Sequence, residues 1–246
     1  MSLSDRIILI TGASKGIGKA IAQRLAAAGA TIIINYLSDC NGANELVNEI
    51  GPSRALAVQA DVSKPSEIRR LVETAVSRFG RIDTIIPNAG ILPMKDLAAT
   101  TESDFDTAFA LNVKGPYFLA QEAVKHMPPG GRVVFISSTV AAFSGVAPAY
   151  LLYASTKGAI EQMTRLMAKD LAKKNITVNA VAPGPTKTEM FMKGKSEELV
   201  KGIAASNPFG RIAEPEEITG IIAFLCGGES GWMTGQVVRV NGGMQV

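Results

Sequence analysis

The sequence is poor in the residue types on which several large classes of protein depend. Of its 246 residues, one is histidine and two are cysteine. His126 alone argues against Ser-His-Asp and Cys-His catalysis and against any site built from several histidines. Cys40 and Cys226 lie far apart and form no CxxC pair, which argues against a disulfide framework and a zinc site. We therefore expect no metal site, and proton chemistry that depends on Tyr, Lys, Asp or Glu.

Long apolar runs and an excess of one charge are also missing from the sequence. No segment approaches the roughly 18 apolar residues that a membrane helix needs, and the opening MSLSDR contains no hydrophobic signal core. The formal charge is +3, from 25 Lys and Arg against 22 Asp and Glu, and no basic block stands out. We expect a cytoplasmic protein that binds neither membranes nor nucleic acid.

Hydrophobic residues make up 47% of the chain, which is enough for one sizeable core. Apolar runs of strand length alternate with stretches of helical spacing, and the runs are continuous, as in strands buried on both faces. The predicted strands are 6–10, 31–35, 55–60, 82–87, 132–137, 176–182 and 237–240. The predicted helices are 17–28, 41–50, 65–79, 102–127, 153–173, 196–204 and 215–225. This order predicts an α/β protein of one domain (1–246), with a Rossmann-like doubly wound parallel sheet of about seven strands and helices on both faces.

Local signals mark where some of these elements begin and where the pattern stops. Ser63 and Glu67 flank Pro65, which predicts a capped helix start at that point. The segment 184–211 breaks the alternation of strands and helices and carries Gly, Pro, Lys and Met. Long irregular segments of this kind are often functional, and we expect a mobile substrate lid that contains a short helix.

A glycine-rich turn, TGASKGIG at 11–18, leads from the first predicted strand into the first predicted helix. Glycines at 12, 16 and 18 allow a tight turn and a close approach of the backbone to a pyrophosphate at the positive end of the helix. The spacing does not match a phosphate-binding P-loop. Its position between strand and helix favours a dinucleotide site over an ordinary turn.

The choice of dinucleotide depends on charge near the adenosine ribose. An NAD site usually has Asp or Glu at the end of the second strand, where it binds the ribose 2′-hydroxyl. Here the strand ends as INYLS at 34–38, and the first acid is Asp39. Lys15 lies inside the glycine-rich turn, where its ammonium suits a 2′-phosphate. We therefore predict NADP(H), and NAD(H) remains the less favoured alternative because of Asp39.

One tyrosine of the four has a lysine four residues later, which is one turn along the same helix face. These are Tyr153 and Lys157. A phenol with a pKa near 10 is a poor acid at neutral pH unless a cation lowers its pKa. Ser137 and Ser138 follow a predicted strand upstream, where either serine taken singly is typical of a polar strand end.

Together, these segments resemble the classical short-chain dehydrogenases/reductases over essentially the whole chain. The matches occur in the family's order: TGASKGIG (11–18), DVS (61–63), NAG (88–90), Asn112, ISS (136–138), YASTK (153–157), NAVAPG (179–184), TGQ (234–236) and NGG (241–243). Segments 183–191 and 207–211 resemble the 3-oxoacyl-carrier-protein reductase-like and fungal naphthol reductase-like members. Two departures are Pro87, where the family usually has Asn, and a loop between Ser138 and Tyr153 that is about two residues longer than usual.

The resemblance implies a catalytic tetrad of Asn112, Ser138, Tyr153 and Lys157. Tyr153 would give its proton to the carbonyl oxygen as NADPH delivers hydride to the carbon, and Ser138 would hydrogen-bond the same oxygen. Lys157 would bind the nicotinamide ribose and lower the pKa of Tyr153. Asn112 would hold a water that links Lys157 to solvent.

The cofactor contacts expected from the turn, the second strand and the resemblance form a longer set. They are Gly12, Ser14, Lys15, Gly16, Ile17, Gly18, Asn35, Tyr36, Ser38, Asp61, Val62, Asn88, Ala89, Gly90, Tyr153, Lys157, Pro183, Gly184, Thr186 and Thr188. Thr188 would meet the nicotinamide end of the cofactor, and Thr186 competes for that role. The resemblance also implies a homotetramer built from the two long helices, whose small residues include Ala108, Ala110, Ala159 and Ala168.

These expectations converge on an NADPH-dependent carbonyl reductase that converts a small ketone or aldehyde to an alcohol. Two alternatives stay open. One is an NAD(P)-dependent sugar, polyol or secondary-alcohol dehydrogenase. The other is a non-catalytic nucleotide-binding scaffold, against which the complete tetrad argues.

Overall fold

A computed structural model describes residues 2–245 and contains one seven-stranded sheet. Its strands are β1 (Ile7–Ile10), β2 (Thr31–Tyr36), β3 (Ala55–Gln59), β4 (Thr84–Ile86), β5 (Arg132–Ile136), β6 (Thr177–Pro183) and β7 (Val237–Val240). All neighbouring strands are parallel, in the order β3-β2-β1-β4-β5-β6-β7. The predicted Rossmann-like architecture of about seven strands is confirmed.

Helices cover both faces of this sheet. They are α1 (Gly16–Ala27), α2 (Cys40–Ile50), α3 (Pro65–Phe79), α4 (Glu102–Phe109), α5 (Gly115–Ala123), α6 (Leu151–Leu171), α7 (Glu189–Met192), α8 (Glu197–Ala205) and α9 (Glu216–Cys226). A π-helical segment, Ala110–Lys114, joins α4 to α5. In the part of the chain that is described, no helix is both long and apolar enough to cross a membrane.

The core has two layers because successive side chains of a strand point to opposite faces of the sheet. In β1, Ile8 and Ile10 pack with the layer formed by α1, α2 and α9. Ile7 and Leu9 pack with the layer formed by α3, α5 and α6. All four residues of β1 are buried, which explains why the apolar runs of the sequence are continuous.

The strand order reverses direction at β1, which lies between β2 and β4. Crossovers on the two sides of this point run in opposite directions, so a crevice opens at the carboxyl ends of β1 and β4. The glycine-rich turn leaves β1 here, and Asn88 follows β4 here. This topology brings together two segments that are more than 70 residues apart in the sequence.

The prediction of one continuous helix over 102–127 is wrong. The structure has α4, the π-helical segment and α5 in its place, and α5 ends at Ala123. Pro116 has no N–H group, so it cannot donate to the carbonyl of Asn112, four residues earlier. Single π-helical turns occur where such an irregularity interrupts a helix, and they are frequent at functional sites.

Two further local predictions need correction. Lys64 and not Ser63 occupies the N-cap position of α3, with no side-chain cap, because the Ser63 side chain hydrogen-bonds Asp61 instead. The lid segment contains two short helices rather than one. Thr188 caps α7 and Ser196 caps α8.

The small residues expected at subunit contacts are partly buried within the chain itself. Ala108 and Ala168 belong to the core, because they lie on the inner faces of α4 and α6. The apolar side chains that these helices and α5 leave exposed are larger: Phe105, Tyr117, Leu151 and Leu166.

Candidate active site

The glycine-rich turn has the backbone conformation that its composition predicts. Gly12 and Gly16 have φ angles of +60° and +56°, in the left-handed region that favours glycine. A Cβ on Gly18 would collide with the carbonyl oxygen of Gly12 and lie 2.6 Å from the Asn88 Nδ2. The turn therefore packs too closely against its neighbours to accept a larger residue. No acidic side chain lies in the first turn of α1, so its positive end is open to an anion.

Hydrogen bonds join this turn to the segment after β4. The Thr11 hydroxyl oxygen accepts from the backbone N–H groups of Asn88 and Ala89, both at 3.0 Å. The Asn88 amide donates to the carbonyl oxygens of Thr11 and Gly12 at 2.9 and 3.1 Å. Pro87, where the family usually has Asn, is buried beside them. Asn88 thus fixes the two walls of the crevice relative to each other, and Gly90 packs against Asn112.

Asn35, one of the predicted cofactor contacts, is buried and hydrogen-bonds to backbone groups. Its Oδ1 accepts from Gly12 at 3.3 Å, and its Nδ2 donates to the carbonyls of Val58 and Ala60 at 3.3 and 3.0 Å. Ser14, inside the turn, is also buried. Asn35 therefore supports the turn from beneath.

The residues that bear on the choice between NADP(H) and NAD(H) lie at the end of β2 and just after it. Asp39 is the N-cap of α2, and its Oδ1 accepts a 3.1 Å hydrogen bond from Gly42. The Tyr36 hydroxyl lies 3.5 Å from the Cys40 sulfur, a contact that raises the pKa of Tyr36. Ser38 is exposed. The carboxylate that kept NAD(H) open is therefore engaged in capping a helix.

Lys15, which the sequence predicts to bind a 2′-phosphate, is already paired with a carboxylate. Its Nζ lies 2.6 Å from Glu189 Oε2 at the start of α7, and both side chains are exposed. Ile17 is half-buried and packs against the core from the first turn of α1. Nothing in the sequence signals the Lys15–Glu189 pair, because the two residues are 174 positions apart.

Asp61 and Val62 lie beyond β3, at the same edge of the sheet. Burial would raise the pKa of Asp61, but hydrogen bonds from Ser63 and the nearby Lys64 ammonium outweigh it and lower that pKa. Val62 is buried, and its carbonyl contacts Gly115 at the start of α5.

Asn112 lies in the π-helical segment and is almost fully buried. Its Oδ1 accepts from the Ile91 N–H at 2.9 Å, and its Nδ2 donates to the Ile91 carbonyl at 2.9 Å and to the Thr156 hydroxyl at 3.1 Å. Its side chain therefore ties the loop after β4 to α6. Thr156, which the sequence reasoning missed, lies between Tyr153 and Lys157 and donates to the Tyr153 carbonyl at 2.7 Å.

Ser138, Tyr153 and Lys157 come together where β5 ends and α6 begins. Lys157 donates a 2.7 Å hydrogen bond to the carbonyl oxygen of Ile136, and its Nζ lies 5.5 Å from the centre of the Tyr153 ring. Ser138 lies two residues beyond the end of β5, and its hydroxyl oxygen lies 3.5 Å from the Val140 nitrogen. The phenol and the ammonium thus share one face of α6, as their spacing predicts.

Burial perturbs both titratable groups of this cluster. It raises the pKa of Tyr153 to about 12, although a hydrogen bond with Ser138 acts in the opposite direction. Burial also lowers the pKa of Lys157 to about 8. Such perturbed groups at the end of a strand are typical of functional sites. A phenol that keeps its proton, beside an ammonium whose lowered pKa lets it lose a proton more easily, is suited to acid–base chemistry.

One helical turn after Lys157, α6 carries a buried carboxylate, Glu161, which the sequence reasoning missed. Glu161 Oε1 accepts from the Ser137 hydroxyl at 3.2 Å, and Glu161 Oε2 accepts from Arg165 at 3.3 Å. Its position four residues after Lys157 is the one signal that could have placed it on this face of α6.

Segment 184–211, which the sequence predicts to be a lid, begins directly after β6, which ends at Pro183. A Cβ on Gly184 would lie 2.9 Å from the Cα of Asn241, so this position requires glycine. Thr186 is buried and donates to the Gly184 carbonyl at 3.0 Å. Thr188, by contrast, packs beside Gly16 of the glycine-rich turn. Of the two threonines, Thr188 is therefore the one that meets the crevice.

Within residues 2–245, no group of three or more His, Cys, Asp or Glu side chains is arranged to hold a metal ion. The donors gathered in the crevice are instead backbone N–H groups, hydroxyls and lysines. Such groups bind phosphates and sugar hydroxyls, and the glycine-rich turn fits a dinucleotide because larger side chains would fill its space.

Comparisons with known proteins agree with this geometry. Residues 12–245 match the family model described as enoyl-(acyl carrier protein) reductase. The hydroxynaphthalene reductase-like protein Arp2 of Metarhizium anisopliae is 43% identical, over 98% of this chain and 96% of that protein. Among solved structures, a blue fluorescent protein from a metagenomic library in complex with NADPH is 36% identical, with a TM-score of 0.94. A short-chain dehydrogenase from Burkholderia cenocepacia in complex with NADP is 32% identical, also with a TM-score of 0.94, and both cover 100% of each chain.

Proposed function

Because the chain belongs to the short-chain dehydrogenase/reductase family of oxidoreductases, we propose that it reduces a ketone or aldehyde to an alcohol with NADPH. The observation that carries the proposal is the cluster of Tyr153, Lys157 and Ser138 beside the crevice of the glycine-rich turn. When bound, the reduced nicotinamide supplies the hydride. The chain's own residues bind and orient the reactants and hold the proton.

Tyr153 is the general acid in this proposal. Its raised pKa means that the hydroxyl keeps its proton at neutral pH, so the group is in the protonated form that a carbonyl oxygen requires. Ser138 donates a second hydrogen bond to the same oxygen and stabilises the negative charge that develops there. The charged form of Lys157, one turn along α6, makes the phenol a stronger acid.

The remaining residues of the tetrad and the crevice hold the arrangement together. Lys157 also binds the ribose hydroxyls of the nicotinamide half. Asn112 connects α6 to the loop after β4, and it supports the route by which water replaces the proton that Tyr153 gives up. Gly12, Gly16 and the open end of α1 hold the pyrophosphate.

NADP(H) is the proposed cofactor, and two features of the chain and two similar structures support it over NAD(H). Lys15 lies at the start of α1 with an ammonium suited to a 2′-phosphate. Asp39, the nearest acid after β2, is engaged with the N–H of Gly42 as a helix cap. Two similar structures are described as complexes with NADPH and NADP.

We also propose a homotetramer, as the family resemblance implies. The exposed Phe105, Tyr117, Leu151 and Leu166 on α4, α5 and α6 support this proposal, because large apolar side chains gathered on helices are typical of subunit contacts.

The test of the function is a substrate panel with purified protein. Bicyclic aromatic ketones, aliphatic aldehydes and 3-oxoacyl thioesters are offered with NADPH and with NADH, and polyols are offered with NADP and NAD. We expect NADPH consumption with at least one carbonyl class. Turnover of polyols alone would overturn the carbonyl-reductase proposal, and nucleotide binding without any turnover would favour the scaffold alternative.

A further inference from the structure

The strongest observation outside the catalytic cluster is the ion pair between the glycine-rich turn and the lid. Lys15 Nζ and Glu189 Oε2 are 2.6 Å apart, and the two side chains are 61% and 72% exposed. Surface pairs of this kind contribute little to stability. The importance of this pair lies in its position, because Lys15 is the cation proposed to bind the 2′-phosphate.

Other charged groups lie near the Glu189 end of this ion pair. A hydrogen bond with Lys15 lowers the pKa of Glu189, whereas the negative charge of Asp39 acts to raise it. Asp39 therefore lies close enough to Glu189 to act on it. Lys193, on the lid, also lies close enough to affect Glu189.

Glu189 lines an open cleft between α1 and the predicted lid segment. Its volume is about 320 Å³, and its lining includes Gly16, Lys19, Thr188 and Glu189. Thr188 packs beside Gly16, so the start of α7 lies directly against the turn that follows β1. A nucleotide bound against this turn therefore meets the Glu189 carboxylate together with Lys15.

We propose that Glu189 is a specificity-determining residue that weakens the preference for phosphorylated dinucleotides. This inference rests on the proposed function. A 2′-phosphate must displace the Glu189 carboxylate from Lys15 and must approach its negative charge, and both steps cost free energy. A dinucleotide with a free 2′-hydroxyl leaves the ion pair in place. Glu189 thus weakens the binding of NADP(H) selectively. Its removal increases the preference for a 2′-phosphate that Lys15 provides.

The test compares two small probes that differ by the 2′-phosphate. Adenosine 2′,5′-bisphosphate and AMP are titrated by calorimetry into the wild-type chain and into the Glu189→Gln variant, at about 20 mM and about 200 mM salt. We expect Glu189→Gln to tighten bisphosphate binding about threefold to tenfold at low salt, and AMP binding less than twofold. The difference should shrink at high salt, because exposed charges are screened.

Two further variants separate the electrostatic effect from other changes in the lid. Glu197→Gln removes the same charge from α8, where Glu197 pairs with Lys201 at 4.0 Å, and it should leave the ratio of the two affinities unchanged. In a Lys15→Met background, Glu189→Gln should tighten the bisphosphate by a smaller factor, because no ammonium is left to release.

The outcomes distinguish this inference from the proposed function. If the wild-type chain binds neither probe, the dinucleotide site itself is wrong and the inference fails with it. If the wild-type chain binds both probes but Glu189→Gln changes both affinities equally, changes neither or weakens the bisphosphate, the inference alone is wrong. Tightening confined to the bisphosphate and dependent on Lys15 supports it.

Discussion

The ammonium of Lys157 donates a 2.7 Å hydrogen bond to the carbonyl oxygen of Ile136, the last residue of β5. This contact keeps the buried ammonium beside the Tyr153 ring, and burial lowers the pKa of Lys157 to about 8. As the pH rises through about 8, Lys157 loses its charge, and the phenol becomes a weaker acid. We therefore expect kcat/KM for carbonyl reduction to be level below pH 8 and to fall above it.

The measurement is a pH profile of carbonyl reduction with NADPH. The dissociation constant of NADPH, measured over the same pH range, is the control that separates catalysis from cofactor binding. A kcat/KM that stays level well above pH 8 would contradict the role given to Lys157.

Replacing Tyr153 with Phe removes the proton donor and leaves the ring in place. We expect the rate of carbonyl reduction to fall by about a hundredfold or more, which is the usual contribution of a positioned general acid. NADPH binding, measured by fluorescence, should change little. Tyr117→Phe is a matched control, because Tyr117 lies on α5 outside the catalytic cluster, and the change keeps the ring that the proposed subunit contact uses. Reduction that survives in Tyr153→Phe would refute the mechanism.

The Asn112→Ala variant tests whether the π-helical segment depends on one side chain. The change leaves the N–H and carbonyl of Ile91 without their partner, and the Thr156 hydroxyl loses one of its two hydrogen bonds. Because buried polar groups without partners are costly, we expect the free energy of unfolding to fall by about 2–4 kcal/mol.

A denaturant titration followed by circular dichroism measures this loss. Ser155→Ala serves as the control, since the exposed Ser155 hydroxyl bonds within its own helix, and its effect should stay within about 0.5 kcal/mol. Equal stability of the Asn112 and Ser155 variants would show that the Asn112 contacts are not structural.

The Lys15→Ala variant tests the choice of cofactor. NADPH binding should weaken about tenfold or more, because a charge-assisted hydrogen bond to the 2′-phosphate is lost. NADH binding should change little, since NADH lacks that phosphate. Lys125→Ala is the control, as Lys125 lies on the chain after α5 and pairs with Glu122. Equal effects on both cofactors would show that Lys15 does not recognise the 2′-phosphate.

The fold was predictable because its signal is local and repeated. Continuous apolar runs identify strands buried on both faces, and their alternation with helices leaves few arrangements other than a parallel sheet. The break in the helix over 102–127 escaped prediction although Pro116 was visible. Proline is tolerated in the first turn of a helix, and the sequence does not show that α5 begins at Gly115.

The candidate site was predictable only in part, for a related reason. Tyr153 and Lys157 are close in sequence, so their helical spacing places them on one face. Lys15 and Glu189 meet only because the segment after β6 lies against the glycine-rich turn. Hydrophobic periodicity in the sequence does not indicate a contact of this kind. Asn35 is a different case, since its position at the end of β2 was correct but its amide is taken up by backbone groups.

The tight packing of the glycine-rich turn gives a prediction about Gly18. In Gly18→Ala, the added methyl group would collide with the Gly12 carbonyl and lie 2.6 Å from the Asn88 amide. Both neighbours are held by hydrogen bonds, so the turn must distort. We expect the free energy of unfolding to fall by about 1–3 kcal/mol, which is typical of overpacking, and NADPH binding to be lost or strongly weakened. Thermal unfolding and NADPH fluorescence measure the two effects.

Gly220→Ala is the matched control for this substitution. Gly220 lies in α9, where a Cβ would meet no atom within 4 Å. Alanine favours a helix over glycine by roughly 0.8–1.0 kcal/mol, so this variant should be as stable as the wild type or more stable, and it should bind NADPH normally. If Gly18→Ala behaves like Gly220→Ala in both measurements, the turn has room for a side chain, and glycine at position 18 is not required for the close contact with Gly12 and Asn88.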